Sequence, residues 1–356
     1  MSLIENTLEK IEKRNEEAME KARERLDSLA KPIGSLGELE EIVVKMAGIT
    51  GKIYNKIHKK NIVIMCSDNG IWEEGISNCP KGLTVSITEN FVKGITGVCI
   101  LGDFFKCHRT IVDIGTDYDF QNDGIINKKV AYGTKNIVKE AAMTRTQCIK
   151  AIETGIEIID GLVKKGYDLF GTGEMGVCNT ATSSAVLSAI LKLPVDETVG
   201  KGSGITEDKF KAKKAAVENA LKINNPDSAD VIDVITKVGG FDIAGICGCF
   251  LGAAKNRVPI VIDGFISSVA ALCAVKLNEN IIDFLFPSHL SAEPAANYVM
   301  KELGLKPMLN LNMRLGEGSG CPMAFEIIEA ALYTMENMGT FQEAKVDGSK
   351  LIDIRK

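Results

Sequence analysis

Short apolar runs alternate along the chain with longer segments in which apolar residues recur at helical spacing. Each run is about five residues long and apolar at successive positions, which is typical of strands buried on both faces of a parallel sheet. The runs lie at residues 62–66, 110–114, 167–170, 260–263 and 282–286. The helical patterns cover residues 5–30, 36–48, 84–105, 134–165, 179–192, 206–222, 265–276, 292–303 and 321–337. This alternation predicts an α/β fold with a mainly parallel sheet and helices on both faces.

The two ends of the chain have helical patterns and no strand pattern. Lys31-Pro32-Ile33-Gly34 is expected to end the first helix, and Ser35 is expected to cap the second. We expect residues 1–50 and 321–356 to pack together as a smaller helical domain against an α/β domain of residues 51–320. The N-terminus lacks a secretory signal, and no apolar run reaches the roughly 18 residues of a membrane span. We therefore expect a cytoplasmic protein with no membrane partner.

Composition and charge narrow the class of protein. The 356 residues are 45% apolar and 25% charged, which is enough for a large hydrophobic core. The net charge of −5 gives no basic excess to bind a phosphate backbone, so nucleic acid is not an expected partner. The ten cysteines form no CxxC pair, and there are only three histidines. We therefore expect reduced, buried thiols and no metal site.

In a parallel sheet, ligands bind beyond the carboxyl ends of the strands, so the turns after the apolar runs are candidate sites. The turn predicted after the third run, residues 171–176, has the G-x-G-x-x-G spacing of the dinucleotide fingerprint and precedes a helix. That fingerprint, however, belongs on the first strand of its fold. Three interpretations stay open: a dinucleotide site, a tight turn without a ligand, and a cradle for a phosphate or ribose. Free backbone N–H groups at a helix N-terminus favour the cradle.

Two further glycine-rich segments precede helices. The glycines of Gly200–Gly204 let the backbone approach an anion closely, and Thr206 is expected to cap the following helix. Lys213 lies about two turns along that helix. It either reaches an anionic ligand or stays solvated, and the neighbouring lysines favour the solvated alternative. Within Arg314–Gly320, Glu317 stands between glycines, and its carboxylate either meets a ligand or caps the next helix.

Four segments, in order along the chain, resemble motifs of the nicotinate-nucleotide:dimethylbenzimidazole phosphoribosyltransferase family. They are Lys31–Gly37, similar to that family's Lys-Pro-Pro-Gly-Ser-Leu-Gly; Gly171–Thr180, similar to its Gly-Glu-Met-Gly-x-x-Asn-Thr; Gly200–Gly204, similar to its Gly-x-Gly-[ST]-Gly; and Arg314–Gly320, similar to its Arg-Leu-Gly-Glu-Gly-[ST]-Gly. Several motifs in register are far more specific than any one of them. The resemblance implies a Rossmann-like sheet domain, a smaller helical domain, and a homodimer, or else a heterodimer with a paralogue.

The resemblance also implies a reaction. Phosphoribose moves from nicotinate mononucleotide to 5,6-dimethylbenzimidazole or another lower-ligand base of a cobamide, giving an α-riboside 5′-phosphate and nicotinate without a cofactor or a metal. Catalytic roles are implied for Glu317, Glu174 and Lys213. The residues expected to contact the substrates are Ile87, Gly173, Gly176, Asn179, Thr180, Gly202, Ser203, Gly204, Asp263, Ser291, Arg314, Leu315, Gly316, Gly318 and Gly320.

Two positions depart from the family pattern. Asn69 stands where many relatives have histidine, and Ile87 stands where relatives often have a glutamine beside the aromatic acceptor. Ile87 either removes an amide from the acceptor pocket or belongs to the core. The alternatives are a phenolic acceptor such as p-cresol, adenine as acceptor, or a non-catalytic nucleotide-binding subunit of a paired enzyme. The retained Glu317 and Glu174 disfavour the non-catalytic subunit, and the position of the glycine fingerprint disfavours an oxidoreductase.

Overall fold

Six parallel strands form the centre of the molecule in a computed structural model, which describes residues 2–348 and 351–355. The strands are β1 Lys60–Ser67, β2 His108–Gly115, β3 Ile125–Asn127, β4 Leu169–Met175, β5 Ile260–Ile262 and β6 Leu285–Pro287. Their order in the sheet is β3-β2-β1-β4-β5-β6. This is the Rossmann order, in which the direction of winding reverses between β1 and β4 and leaves a crevice beyond their carboxyl ends. The predicted Rossmann-like parallel sheet is confirmed.

Helices cover both faces of the sheet. They are α1 Leu3–Glu9, α2 Glu16–Asp27, α3 Glu38–Thr50, α4 Leu83–Lys93, α5 Gly97–Phe104, α6 Arg145–Lys164, α7 Asn179–Leu191, α8 Val195–Thr198, α9 Glu207–Asn224, α10 Val231–Val238, α11 Phe241–Lys255, α12 Phe265–Leu277, α13 Ala296–Leu303, α14 Cys321–Asn337 and α15 Phe341–Ala344. Side chains of a strand alternate between the two faces. Met65 of β1 lies against Gly245 of α11, whereas the neighbouring Gly171 of β4 lies against Cys321 of α14.

Strand β4 continues through the segment that the sequence predicted as a turn. Gly171 and Gly173 are strand residues, and the turn comes later, at Gly176–Cys178. A side chain on Gly171 would meet the Cys321 side chain, and one on Gly173 would clash with the backbone carbonyl of Glu317. These two glycines therefore allow another backbone to approach the strand, and the fingerprint spacing does not mark a dinucleotide turn.

Other boundaries differ from the predictions for local reasons. The helix predicted over 5–30 is two helices, because the Asn15 side chain accepts from the Ala18 N–H (2.9 Å) and starts α2 afresh. The helix predicted over 84–105 is broken at Gly94, and only α6 is helical within 134–165. The run at 282–286 is mainly a 3-10 turn, Glu279–Phe284, before the short β6. Helix α11 escaped prediction because residues 241–254 are all buried and show no polar face.

Helices from the two ends of the chain meet. Helix α14 packs on α3, and the Ala30 N–H donates to the Gly339 carbonyl (2.9 Å). Within the predicted Lys31–Gly37 motif, Lys31 forms a buried ion pair with Glu40 (2.7 Å). Helix α14 also contacts β4 and β5, so it joins the helical layer to the sheet. The exact domain limits at residues 50 and 320 stay a prediction.

Candidate active site

A cavity of about 280 Å³ opens beyond the carboxyl ends of β4 and β5, beside the point where the winding reverses. Most residues that the sequence singled out line it. They are Ile87, Glu174, Gly176, Asn179, Thr180, Gly202, Ser203, Asp263, Ser291, Arg314, Leu315, Gly316 and Glu317. The remaining ones, Gly173, Gly204, Lys213, Gly318 and Gly320, stand behind the lining or beside it. Segments far apart in the sequence therefore meet at one cavity.

Two buried carboxyl groups, Glu174 and Asp242, meet at one amide beside the cavity, and Glu174 and Asn179 line it. Asn179, the first residue of α7, donates to Glu174 and to Asp242 Oδ2, the second bond measuring 3.2 Å. Burial, and then the charge of Asp242, raise the pKa of Glu174 to about 8. Burial also raises the pKa of Asp242 to about 6. Glu174 therefore carries a proton at neutral pH, which lets the two carboxyl groups share one amide without mutual repulsion.

Asp263, at the end of β5, holds the loop that carries Glu317. Its Oδ1 accepts from the Gly320 N–H (2.7 Å), and its Oδ2 accepts from the Gly318 N–H (3.1 Å). Burial raises the pKa of Asp263 to about 7, against the effect of these N–H groups. Gly318 and Gly320 were predicted to contact a ligand; in the structure their N–H groups bind Asp263 instead.

Glu317 adopts a left-handed backbone conformation, with φ of +65°, between Gly316 at +84° and Gly318 at +93°. Three successive residues with positive φ need glycines on both sides, because side chains tolerate this region poorly. The turn directs the carboxylate towards the start of α5, where Glu317 Oε2 accepts from the Val98 N–H (3.1 Å). Burial raises the pKa of Glu317, while the N–H groups of Val98 and Gly97 lower it. The carboxylate lines the cavity.

The second glycine-rich loop lies against a buried lysine. Lys213 is 3% exposed, and its ammonium donates to Thr180 Oγ1 (2.8 Å) and to the Gly200 carbonyl (2.9 Å). The solvated alternative for Lys213 is therefore wrong. Burial lowers the pKa of Lys213, and the nearby Glu293 raises it. Gly202 has φ of +55°, and a Cβ there would lie 3.6 Å from the lysine nitrogen. The expected cap by Thr206 is confirmed, since its side chain accepts from the Lys209 N–H.

An apolar wall faces these polar groups. It consists of Leu83 and Ile87 from α4, Leu315, and the thiol of Cys79. Ile87 is half-buried: it packs on the core and also lines the cavity. The side chain of Ile87 gives this wall no hydrogen-bonding group, and its contact with an acceptor stays a prediction.

The polar lining residues that were not predicted include His289 and Glu293, and Asp242, which lies behind the lining, was not predicted either. His289 is buried, its Nδ1 lies 2.9 Å from Ser288 Oγ, and burial lowers its pKa. His289 and Glu293 follow β6 directly, so the rule that ligands bind beyond strand ends, applied to the fifth apolar run, would have found them. Asp242 begins α11, which had no recognisable pattern.

None of the ten cysteines forms a disulfide bond, and His58 is exposed. Eight of them are buried, but Cys79 and Cys178 are half-buried at the cavity, which corrects the expectation for these two. Within residues 2–348 and 351–355, no cluster of three His, Cys, Asp or Glu side chains could hold a metal ion. In the same residues, no helix combines the length and the apolar character needed to cross a bilayer.

Comparisons with known proteins identify the family of the chain. Residues 11–346 match the family model described as phosphoribosyltransferase. A protein from Clostridium tetani (strain Massachusetts / E88), named nicotinate-nucleotide–dimethylbenzimidazole phosphoribosyltransferase, is 60% identical, with 100% of this chain and 99% of the relative covered. A protein of the same name from Clostridium acetobutylicum is 52% identical, with 98% and 99% covered.

The fold agrees as well. The crystal structure of CobT from Thermus thermophilus superposes with a TM-score of 0.90 at 33% identity, covering 93% of this chain and 99% of that one. Full-length sequence similarity and the shared three-dimensional structure lead to the same conclusion: the chain belongs to the nicotinate-nucleotide–dimethylbenzimidazole phosphoribosyltransferase family.

Proposed function

We propose that the chain transfers phosphoribose from nicotinate mononucleotide to 5,6-dimethylbenzimidazole or a related lower-ligand base. The products are an α-ribazole 5′-phosphate and nicotinate, and the α-ribazole phosphate serves assembly of the cobamide nucleotide loop. One observation carries this proposal above the others. The Glu317 carboxylate lines the same cavity as the Gly200–Gly204 loop and Thr180, with Lys213 bound directly behind them. A base and an anion site thus face one small space.

The donor phosphate is placed at the Gly200–Gly204 loop. Gly202 and Ser203 line the cavity, and Lys213 uses two of its three N–H groups on Thr180 and Gly200. The third N–H is available to a phosphate oxygen. Fixing the phosphate there fixes C1′ of the ribose between the leaving group and the acceptor, and positioning of this kind supplies a large share of enzymatic rate.

The leaving group needs little help from the protein. The nicotinate ring nitrogen is cationic while it is bonded to ribose, so the C–N bond breaks to give neutral pyridine nitrogen without protonation. The acceptor attacks C1′ from the opposite face, which converts the β-linkage into an α-linkage. As the new bond forms, the acceptor must lose an N–H or O–H proton. A base is therefore needed on the acceptor side.

Glu317 is the residue that we assign as this base. Its carboxylate accepts from the Val98 N–H, and Glu317 lines the same cavity as Ile87 and Leu315. Glu174, by contrast, holds a proton at neutral pH because its pKa is about 8. Glu174 accepts from the Glu317 N–H (3.4 Å), so we assign it a supporting role in shaping the Glu317 turn and binding the substrate.

A homodimer is part of the proposal. Ile95, Ile100, Phe104 and Tyr333 are exposed large apolar residues on α5, just before it, and on α14, which packs on α5. Leu315, at the cavity, is also exposed. Soluble proteins rarely leave large apolar patches uncovered. A second copy would cover this surface; a paralogous partner is the alternative. The ten free thiols favour a reducing compartment, the cytoplasm.

A phenolic acceptor is the second candidate, and one observation favours it. Ile87, at a position where the family resemblance implies glutamine, gives the cavity an apolar side chain. The second ring nitrogen of a benzimidazole bears the proton that Glu317 removes, and Ile87 offers that nitrogen no further hydrogen bond, whereas a phenol has no second ring nitrogen. Glu317 could take the proton of either acceptor.

The first prediction concerns the base. Glu317→Gln should bind both substrates but lose at least about tenfold in kcat, since general-base catalysis usually contributes about 10²–10⁴-fold. The glutamine can still accept from Val98, so the turn should persist. Because burial raises the pKa of Glu317, the wild-type acid limb of kcat should lie above the usual value of about 4.3 and vanish in the variant. Glu336→Gln, an exposed change on α14, is the control; if kcat of Glu317→Gln falls no further than kcat of the control, Glu317 does not have this role.

The second prediction concerns the phosphate. Gly202→Val should weaken binding of nicotinate mononucleotide and spare the acceptor, because the new side chain would lie beside Thr180 Oγ1 and Lys213. Gly304→Val carries the same backbone strain, with φ of +63° and open space around it, and should leave binding intact. Calorimetric titration measures both. Unchanged affinity in Gly202→Val would move the phosphate to the 173–180 segment.

The third prediction is that the reaction needs no metal ion, because the cationic leaving group departs without Lewis-acid assistance. Turnover measured after exhaustive chelation should equal that of the untreated enzyme. Activity that is lost on chelation and restored by a divalent ion contradicts this expectation.

The fourth prediction concerns the acceptor. A glutamine amide at position 87 would add a hydrogen bond to the acceptor, worth about 0.5–1.5 kcal/mol, or about 2- to 13-fold in affinity. Ile87→Gln should therefore shift competition between dimethylbenzimidazole and p-cresol, at equal concentrations, towards dimethylbenzimidazole. Ile223→Gln, an exposed change at the end of α9, should not. If the wild type makes only the benzimidazole riboside and Ile87→Gln leaves the ratio unchanged, Ile87 has no part in acceptor choice.

A further inference from the structure

Glu293 is a buried carboxylate in the cavity that the assigned chemistry does not use. It is 7% exposed, it lines the cavity, and its Oε2 has no hydrogen-bond partner in the described part of the chain. It lies in the segment between β6 and α13, where its own N–H donates to Ser291 Oγ (3.3 Å). A carboxylate oxygen left unpaired in such a place is costly, so its presence needs a reason.

The surroundings of Glu293 are those of the phosphate site. Gly200 comes so close that any side chain there would clash with Glu293 Oε2, and the Pro294 ring lies against the same glycine. Burial raises the pKa of Glu293, whereas the charge of Lys213, the Gly202 N–H and the charge of Arg314 lower it by smaller amounts. Lys213 donates to the carbonyl of the same Gly200 (2.9 Å), and the charge of Glu293 raises the pKa of Lys213.

We propose that Glu293 is a positioning residue of the phosphate site, acting through the Gly200–Gly204 loop and Lys213. Its carboxylate packs against Gly200, whose carbonyl binds the Lys213 ammonium, so it braces the loop and favours the protonated lysine. The ammonium then presents its third N–H to the donor phosphate. This inference rests on the proposed location of the phosphate.

Two electrostatic effects of Glu293 oppose each other. A carboxylate near a bound phosphate repels it, whereas a carboxylate near a buried ammonium preserves the charge that attracts the phosphate. Burial alone can bring the pKa of a lysine far below its ordinary value, and a neutral amine offers the phosphate no positive charge. Lys213 is buried and bound to two neutral acceptors. Support of the lysine charge therefore outweighs the repulsion.

The test is the pH dependence of ligand binding by Glu293→Gln. Removing the anion should lower the pKa of Lys213 further, so nicotinate mononucleotide binding should fail at lower pH than in the wild type. Above its pKa, a lysine loses about tenfold in protonated fraction when that pKa falls by about one. The loss of affinity should therefore exceed about tenfold at alkaline pH and shrink towards neutrality. Nicotinate riboside, which lacks the phosphate, should bind the variant and the wild type equally. At saturating donor, kcat should be preserved while KM rises.

Matched variants separate the outcomes. Asp196→Asn removes an exposed carboxylate that pairs with Lys214, the neighbour of Lys213 on α9, and should change nothing. Glu293→Asp keeps the charge and should keep the wild-type pH midpoint of nicotinate mononucleotide binding. This variant also tests the proposal if Glu293→Gln does not fold. Equal or tighter mononucleotide binding by Glu293→Gln, or an equal loss for the riboside, overturns the proposal. Lys213→Ala distinguishes failure of the proposed phosphate location from failure of the proposed role of Glu293. If this variant binds the mononucleotide normally, the phosphate lies elsewhere and both proposals are wrong.

Discussion

Two hydrogen bonds from glycine N–H groups to the Asp263 carboxylate fix the part of the site on which everything else depends. Asp263 stands at the end of β5, so its position is that of the sheet. Its hydrogen bonds with the Gly318 and Gly320 N–H groups fix the position of a loop that has no regular secondary structure. Because Gly173 has no side chain, the Glu317 carbonyl can also pack closely against β4. A flexible glycine-rich segment thereby presents one carboxylate at a defined place.

The site gathers several ionisable groups away from water, and each of them costs stability. Glu174, Asp242, Asp263, Lys213 and Glu293 are all buried. Buried charges persist when hydrogen bonds or opposite charges compensate them. Here backbone N–H groups serve Asp263, one amide serves Glu174 and Asp242, and Lys213 and Glu293 carry opposite charges that favour each other. Because the compensation comes from loops that only the folded sheet brings together, substrate binding and folding stability share the same residues.

The sequence predicted the parallel sheet well because buried strands show as uninterrupted apolar runs. About half of the cavity lining was also named in advance, chiefly because glycine-rich segments of the chain resemble family motifs. Prediction from the sequence failed where the deciding contact was distant in sequence. Gly171 and Gly173 resembled a turn, but they serve the close approach of Cys321 and Glu317. Lys213 stood in a lysine-rich helix face and resembled a surface residue, although Thr180 and Gly200 bury it. Helix α11 has no polar face and therefore no period to detect.

The pairing of β1 with β4 has a consequence for how the enzyme is made in the cell. Lys60 of β1 pairs with Leu169 of β4, and β2 and α6 lie between these two strands in the sequence. The crevice between β1 and β4 therefore cannot form until β2 and α6 have been synthesised. Contacts between such distant segments form late and slowly, because closing the intervening loop costs conformational entropy before the new contacts stabilise the structure. The 314–320 loop, which packs on β4 near the end of the chain, comes later still. A nascent or truncated chain therefore has no partial version of this active site, and catalytic competence should appear all at once, after nearly the whole chain has folded.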